Sequence, residues 1–190
     1  ESAKVTNEKL HADPENILLA RGPRIRFSAE VIRDMVLSSS GLLNPEIGGP
    51  SVKPYQPKGL WESATSGRGV LNTYRQDHGK DLYRRGLYTF IKLTVPPPSM
   101  IIFDASNRDQ CEVKRTNTNT PLQALVMMND PTVLEASRVL AQRLLKENIS
   151  PEQRITKAFR SIVCRTPKAE EQKILDTYFA NQLAQFRNKT

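Results

Sequence analysis

Residues 103–130, FDASNRDQCEVKRTNTNTPLQALVMMND, hold the side chains best suited to chemistry. Asp104, Asn107, Arg108, Asp109, Cys111, Glu112, Lys114 and Arg115 stand in one run with Thr116, Asn117, Thr118 and Asn119. Such a run can line a pocket. Asp104 would act as acid, base or ion-pair orienter. Arg108 and Arg115 would fork onto a carboxylate, sulfate or phosphate. Cys111, between cationic neighbours, would gain thiolate character. Asn117 and Asn119 would hydrogen-bond a bound group. The same residues also suit a structural role. Asx and Thr side chains tie irregular backbone to itself. Asp104 with Arg108 and Asp109 with Arg115 make plausible internal ion pairs, and a lone Cys often serves as a small core residue. On that reading residues 103–119 form an irregular, largely buried segment.

Other constellations are sparser. Tyr55 with Trp61 could stack on a sugar ring or anchor a loop to the core. Asp77, His78 and Asp81 could place a base between its orienters, and equally could form a solvated loop. Gly48-Gly49-Pro50-Ser51 lacks the spacing of a phosphate loop and reads as a tight turn. His11 and His78 are the only two histidines and show no metal-ligand spacing. Cys111 and Cys164 sit in no C-x-x-C or C-x-x-C-H motif, so no metal, haem or other cofactor is expected in this chain.

Helices must position these residues. Residues 27–40 read as a helix with Ser28 at its N-cap and Gly41 at its end. Residues 41–80 are rich in Gly and Pro and lack periodicity. Tyr55, Leu60 and Trp61 argue for an ordered wrap with a mobile tip near residues 66–69. Residues 81–95 read as a second helix, with Tyr83, Leu87, Phe90 and Ile91 inward, Arg84 and Arg85 outward, and Pro96–Pro98 as its stop. Thr120-Pro121-Leu122-Gln123, Asp130-Pro131, Ser150-Pro151-Glu152-Gln153 and Thr166-Pro167 each combine a cap with Pro at the first helical position. Val133, Ala136, Ser137, Leu140 and Leu144 then form one inner face. Ile155, Ala158, Phe159, Ile162 and Val163 form a second, and Leu175, Tyr178, Phe179, Leu183 and Phe186 a third. No run alternates with period two. The expectation is an all-α fold over residues 1–190 as a single domain: an N-terminal lead-in over 1–26, a helix over 27–40, a loop wrap over 41–80 and a helical core over 81–190.

The chain has 28 Lys+Arg against 20 Asp+Glu, a net charge of +8. That permits polyanion binding. The cations are spread rather than blocked, and no nucleic-acid motif accompanies them, so no specific nucleic-acid partner is expected. No run approaches the roughly 18–20 apolar residues of a membrane span.

The segment YRRGLYTFIKLTVPPPSMIIFDASNRDQCEVKRTNTNTPLQALVMMNDP resembles the planctomycete-specific domain of unknown function that closes many large exported proteins of Planctomycetes and related bacteria. Upstream, LARGPRIRFSAEVIRDMVLSSSGLL and IGGPSVKPYQPKGLWE are similar to its earlier part, and RITKAFRSIVCRTPKAEEQKIL to its closing helix pair. The motif falls on Asp104, Arg108, Cys111, Arg115, Thr118, Asn119, Thr120, Pro121 and Gln123. The resemblance implies export to the periplasm or cell surface and, as partners, the other domains of the full-length protein. Those often include a cytochrome-c-like domain, a second planctomycete domain and sometimes sugar-binding-type modules. It implies no established reaction.

Three functions follow as expectations. The first is a non-catalytic structural or interaction module serving neighbouring domains. The second is part of a polysaccharide-acting enzyme, with glycan as partner and a pocket around Asp104, Arg108, Cys111 and Arg115. The third is nucleic-acid or polyanion binding through the basic surface.

Overall fold

Four helix starts fall on proline, but the one expected at Thr166-Pro167 falls instead at Ala169, with Lys168 at its N-cap. A computed structural model describes residues 5–22, 25–65, 68–69, 71–106, 108 and 111–188. It contains α1 (Asn7–Ala12), α2 (Ala29–Ser40), α3 (Leu60–Thr65), α4 (Pro98–Ile102), α5 (Pro121–Asn129), α6 (Pro131–Leu145), α7 (Pro151–Val163) and α8 (Ala169–Arg187). The fold is all-α, with no β-strand among the described residues. Proline opens α4, α5, α6 and α7, where its missing N–H costs nothing. Asp130 caps α6 by accepting the Thr132 N–H at 2.8 Å. Ser150 and Gln153 cap α7 reciprocally, at 3.3 and 3.0 Å. Thr120 stands at the α5 N-cap, but its hydroxyl makes no cap bond. The return half of that expected box is present: the Thr120 N–H donates to Gln123 Oε1 at 3.4 Å.

Helix α2 is the hub, packing on α4, α6, α7 and the 3-10 turn Gly86–Tyr88. Leu37, Ala136, Leu140, Leu144 and Met100 are buried around it. Gly41 ends α2 with φ +82°, the left-handed geometry the sequence anticipated.

The expected helix over 81–95 does not form. Two 3-10 turns, Gly79–Tyr83 and Gly86–Tyr88, stand there instead. The backbone of this stretch is spent on the wrap. Val52 N–H donates to Tyr88 O and Phe90 N–H to Val52 O, each at 2.8 Å. Asn44 and Val52 bridge Arg84 and Thr89. Two positions are therefore reversed, Arg84 inside and Leu87 outside, while Arg85 is exposed as expected and Tyr83, Phe90 and Ile91 are half-buried. Pro98 opens a helix rather than stopping one.

The wrap is ordered as expected where it is described; of its tip, residues 66 and 67 lie outside the described residues. Trp61, 1 % exposed, meets Tyr74 edge-on at 5.0 Å and Phe90 at 5.8 Å. The last helix departs from expectation too. α8 packs on α7 and buries no residue. Tyr178, Phe179 and Leu183, expected inward, are exposed.

Candidate functional site

The polar segment is irregular but mostly exposed, not buried. Asp104 adopts φ +59° at the end of α4. Its carboxylate accepts the Thr118 N–H at 2.7 Å and the Thr118 hydroxyl at 2.8 Å. The bond from the Thr118 backbone, opposed by modest burial and helped by its hydroxyl and Arg26, holds Asp104 below its ordinary range. Gln123 completes the stitch from below, buried at the start of α5. Its Nε2 donates to Ile102 O at 2.8 Å and Thr118 Oγ1 at 3.2 Å, and its Oε1 accepts from Arg26. Three separated pieces of chain meet on this one amide.

Arg115 goes elsewhere. Its guanidinium forks onto Glu30 of α2 at 2.8 and 3.1 Å. Burial alone would raise Glu30, but the bonds from Arg115 and from backbone at the helix start lower it overall. Arg108 is exposed, with its N–H on Ser106 Oγ. Cys111 is an exposed free thiol, as is Cys164. Asn117 and Asn119 are exposed. Asn107 and Asp109 lie outside the described residues. Asp104 and Arg115, two of the charged members of the expected pocket, are thus committed to different partners.

The Glu30–Arg115 fork sets an acid dependence. Glu30 is depressed when folded, so its stabilisation is present above the ordinary carboxylate value of 4.5 and is lost as pH falls through the folded value. The side chains are 18 % and 39 % exposed, so solvent screens the pair. Arg115→Ala should cost about 1 kcal/mol at neutral pH, and the gap to the parent should close in acid. Urea denaturation at pH 7 and pH 3 measures both.

Two interactions escaped the sequence. Arg84, 3 % exposed, donates to the carbonyls of Pro50 at 2.9 Å, Glu46 at 3.2 Å and Gly48, and lies over the Tyr88 ring at 3.9 Å. The Gly48 N–H returns to Tyr88 Oη at 2.8 Å. The glycine turn is thus coiled around an arginine. Glu135 of α6 accepts the hydroxyls of Tyr55 at 3.0 Å and Tyr83 at 2.9 Å. Burial, then the bond to Glu135, pushes Tyr83 up to about 12 and raises Tyr55 as well. A raised phenol contributes stability below its unfolded value of 10.0, lost as pH rises through about 12. In an ultraviolet titration Tyr83 should ionise near pH 12, and Tyr83→Phe should remove that step.

Tyr55 also lines an open groove of about 550 Å³ between the wrap and helices α4 and α5. Pro57, Pro98, Ile102, Leu125 and Pro131 give it apolar walls. Gln56, Gln76, Ser99, Asn129 and Asp130 give it polar ones, with Lys58 beside them. Gln56 Nε2 is buried there with no acceptor. Trp61 does not share the groove; its ring is consumed in the core. Asp77 accepts the Lys53 N–H at 2.6 Å, while His78 and Asp81 are exposed. No group of three or more His, Cys, Asp or Glu among the described residues could hold a metal ion. No helix among them is long and apolar enough to cross a membrane.

The geometry is that of a stitched all-α scaffold bearing a side groove. The chain belongs to the PSD1 family, described as "Protein of unknown function (DUF1553)", which matches residues 1–179. No curated protein and no solved structure matches it.

Proposed function

We propose that this chain is a docking module of an exported multidomain bacterial protein, completed by the surfaces of neighbouring domains in the periplasm or at the cell surface. One observation carries the reading. The accessible surface is 13913 Å², against about 9,200 Å² for a compact folded monomer of this mass. The excess, about 4,700 Å², is larger than the roughly 1,000–2,500 Å² that each partner contributes to an obligate interface.

Much of that surface is apolar and built to stay in place. Ile17, Leu18 and Leu19 are 75, 78 and 80 % exposed. Their loop is held by Asp13, whose carboxylate accepts the Ile17 and Leu18 N–H groups at 2.8 Å each. Arg21 clamps the carbonyls of Lys9 and Asp13. Leu19 sits at φ +52°, a geometry that costs a non-glycine residue about 1–2 kcal/mol and persists only when its surroundings impose it. Helix α8 adds Ile174, Tyr178, Phe179 and Leu183. A rigid knob and an apolar helix suit docking, because little entropy is left to lose on binding.

The polar motif serves assembly in this reading. Asp104 and Arg115 fix loops rather than a reacting group, and the chain brings no cofactor. Glycan, ester and sulfate-ester panels should give no turnover. The decisive test supplies the remaining domains in trans. Leu18→Ser together with Phe179→Ser should weaken their association by about thirtyfold, the effect of losing roughly 2 kcal/mol of anchor contacts, with helical content unchanged. Equal affinity would contradict the docking role.

A further inference from the structure

We propose that α7 and α8 form a clasp that opens from the body of the fold and recloses as one unit, hinged at residues 146–150. The two helices are tied to each other. Thr156 Oγ1 donates to Gln172 Oε1 at 3.0 Å. Arg165, in the turn between them, forks onto Glu171 at 2.7 Å through both terminal nitrogens and lies over the Phe159 ring at 4.9 Å. Each helix also carries its own cap. Ser150 and Gln153 serve α7, and Glu171 accepts the Lys168 N–H at the start of α8 at 2.8 Å. Turning the hinge therefore breaks no bond inside the pair.

The tie to the body is of another kind. Among the described residues, no side chain of α7 or α8 makes a hydrogen bond or ion pair with residues 5–146. The nearest approach is Lys157 on Glu147 at 2.7 Å, and Glu147 belongs to the hinge itself. That pair is open to solvent and screened by it. The contact of α7 with α2 and α6 is therefore apolar, and it is loosely filled. A cavity of about 90 Å³ lies within it, its lining including Met35, Val36 and Ser39 of α2, Ala136 and Leu140 of α6 and Ile162 of α7. Atoms facing such a void lack dispersion partners on that side. Neither α7 nor α8 buries a residue, and Ile162 and Val163 are 47 and 44 % exposed. The body is built differently. Leu37, Ala136 and Leu140 are buried there, and Asp34 ties α2 to the Gly86 N–H at 2.6 Å. Few buried apolar contacts, on helices exposed along their length, define a unit that opens at a lower free energy than the whole protein.

Opening uncovers Ala136, a buried residue on the cavity wall. A neighbour gripping α8 and the Ile17–Leu19 knob together would hold the clasp shut. That consequence rests on the docking role, whereas the opening is measured in this chain alone and stands or falls without it. The test is native-state amide hydrogen exchange of the intact chain in low denaturant. Amides of α7 and α8 should exchange through one shared opening, roughly tenfold or more faster than the slowest amides of α2 and α6, with a smaller denaturant slope. In a background with Cys111 and Cys164 replaced by Ser, Ala136→Cys should react with a thiol reagent at the rate set by that same opening. The cavity beside it leaves room for the added sulfur. Exchange of α7 and α8 only with global unfolding would overturn the proposal. Separate free energies and slopes for the two helices would do so too, because they would mark independent fraying. So would labelling at position 136 only at the rate of global unfolding.

Discussion

Gly86→Ala should cost about 3 kcal/mol, the upper part of the range for overpacking a tight site. The methyl group would stand 2.7 Å from both the Cα and the carbonyl oxygen of Glu30. Those atoms belong to the first turn of α2, so no side chain can swing away. The same residue donates its N–H to Asp34 Oδ1 at 2.6 Å, and Asp34 also receives Arg85 Nε at 3.1 Å. Pushing the turn off α2 therefore strains a hydrogen bond and an ion pair together. For a chain of this length the melting temperature should fall by roughly 6–12 °C. Gly22→Ala is the control. Nothing lies within 4 Å of its added Cβ, so it should be neutral or slightly stabilising, by up to about 1 kcal/mol through the unfolded chain. Thermal unfolding of the two variants side by side checks the contrast.

Arg84→Met should cost about 3 kcal/mol, through loss of charge-assisted bonds worth roughly 1.5–3 kcal/mol each, partly replaced by water at the loop carbonyls. Its guanidinium faces the carbonyls of Glu46, Gly48 and Pro50. Lysine should not restore the loss, because a compact ammonium lacks the planar spread of two nitrogens that reaches these carbonyls and cannot lie flat on Tyr88. The damage should be local as well as global. Amide exchange at residues 46–51 should accelerate before the rest of the protein opens. Unchanged exchange there, with stability intact, would show that the wrap is held by other contacts.

The helices of the C-terminal half were legible because their signals are local. A capping side chain and a proline at the first helical position act within one turn. Residues 81–95 were misread for the opposite reason. Their apolar spacing fits a helix, but their backbone groups pair with residues 44 and 52, some 40 positions upstream. Periodicity carries no trace of that pairing, so Arg84 read as surface and Leu87 as core. The polar segment was recognised by density, but its partners were not. Thr118 lies 14 residues from Asp104, Arg115 lies 85 from Glu30, and Arg26 lies 97 from Gln123. A density of hydrogen-bonding side chains marks a stitched loop as readily as a pocket. Helix α8 was expected to bury a face because its apolar residues are periodic. That face extends along a helix six residues longer than α7, about 9 Å at 1.5 Å per residue, and a monomer offers it little to pack on. Gln56 gave no signal at all, since an unpartnered amide is defined by what surrounds it.

The central claim is that the exposed apolar faces belong to an interface. Carbene footprinting tests it most directly, comparing this chain alone with the multidomain protein proposed to contain it, purified intact. The docking account predicts that labelling of Ile17, Leu18, Leu19, Tyr178 and Phe179 falls several-fold in the full-length protein, while labelling at the exposed Cys111 segment is unchanged. Equal labelling of the knob and of α8 in both would contradict it.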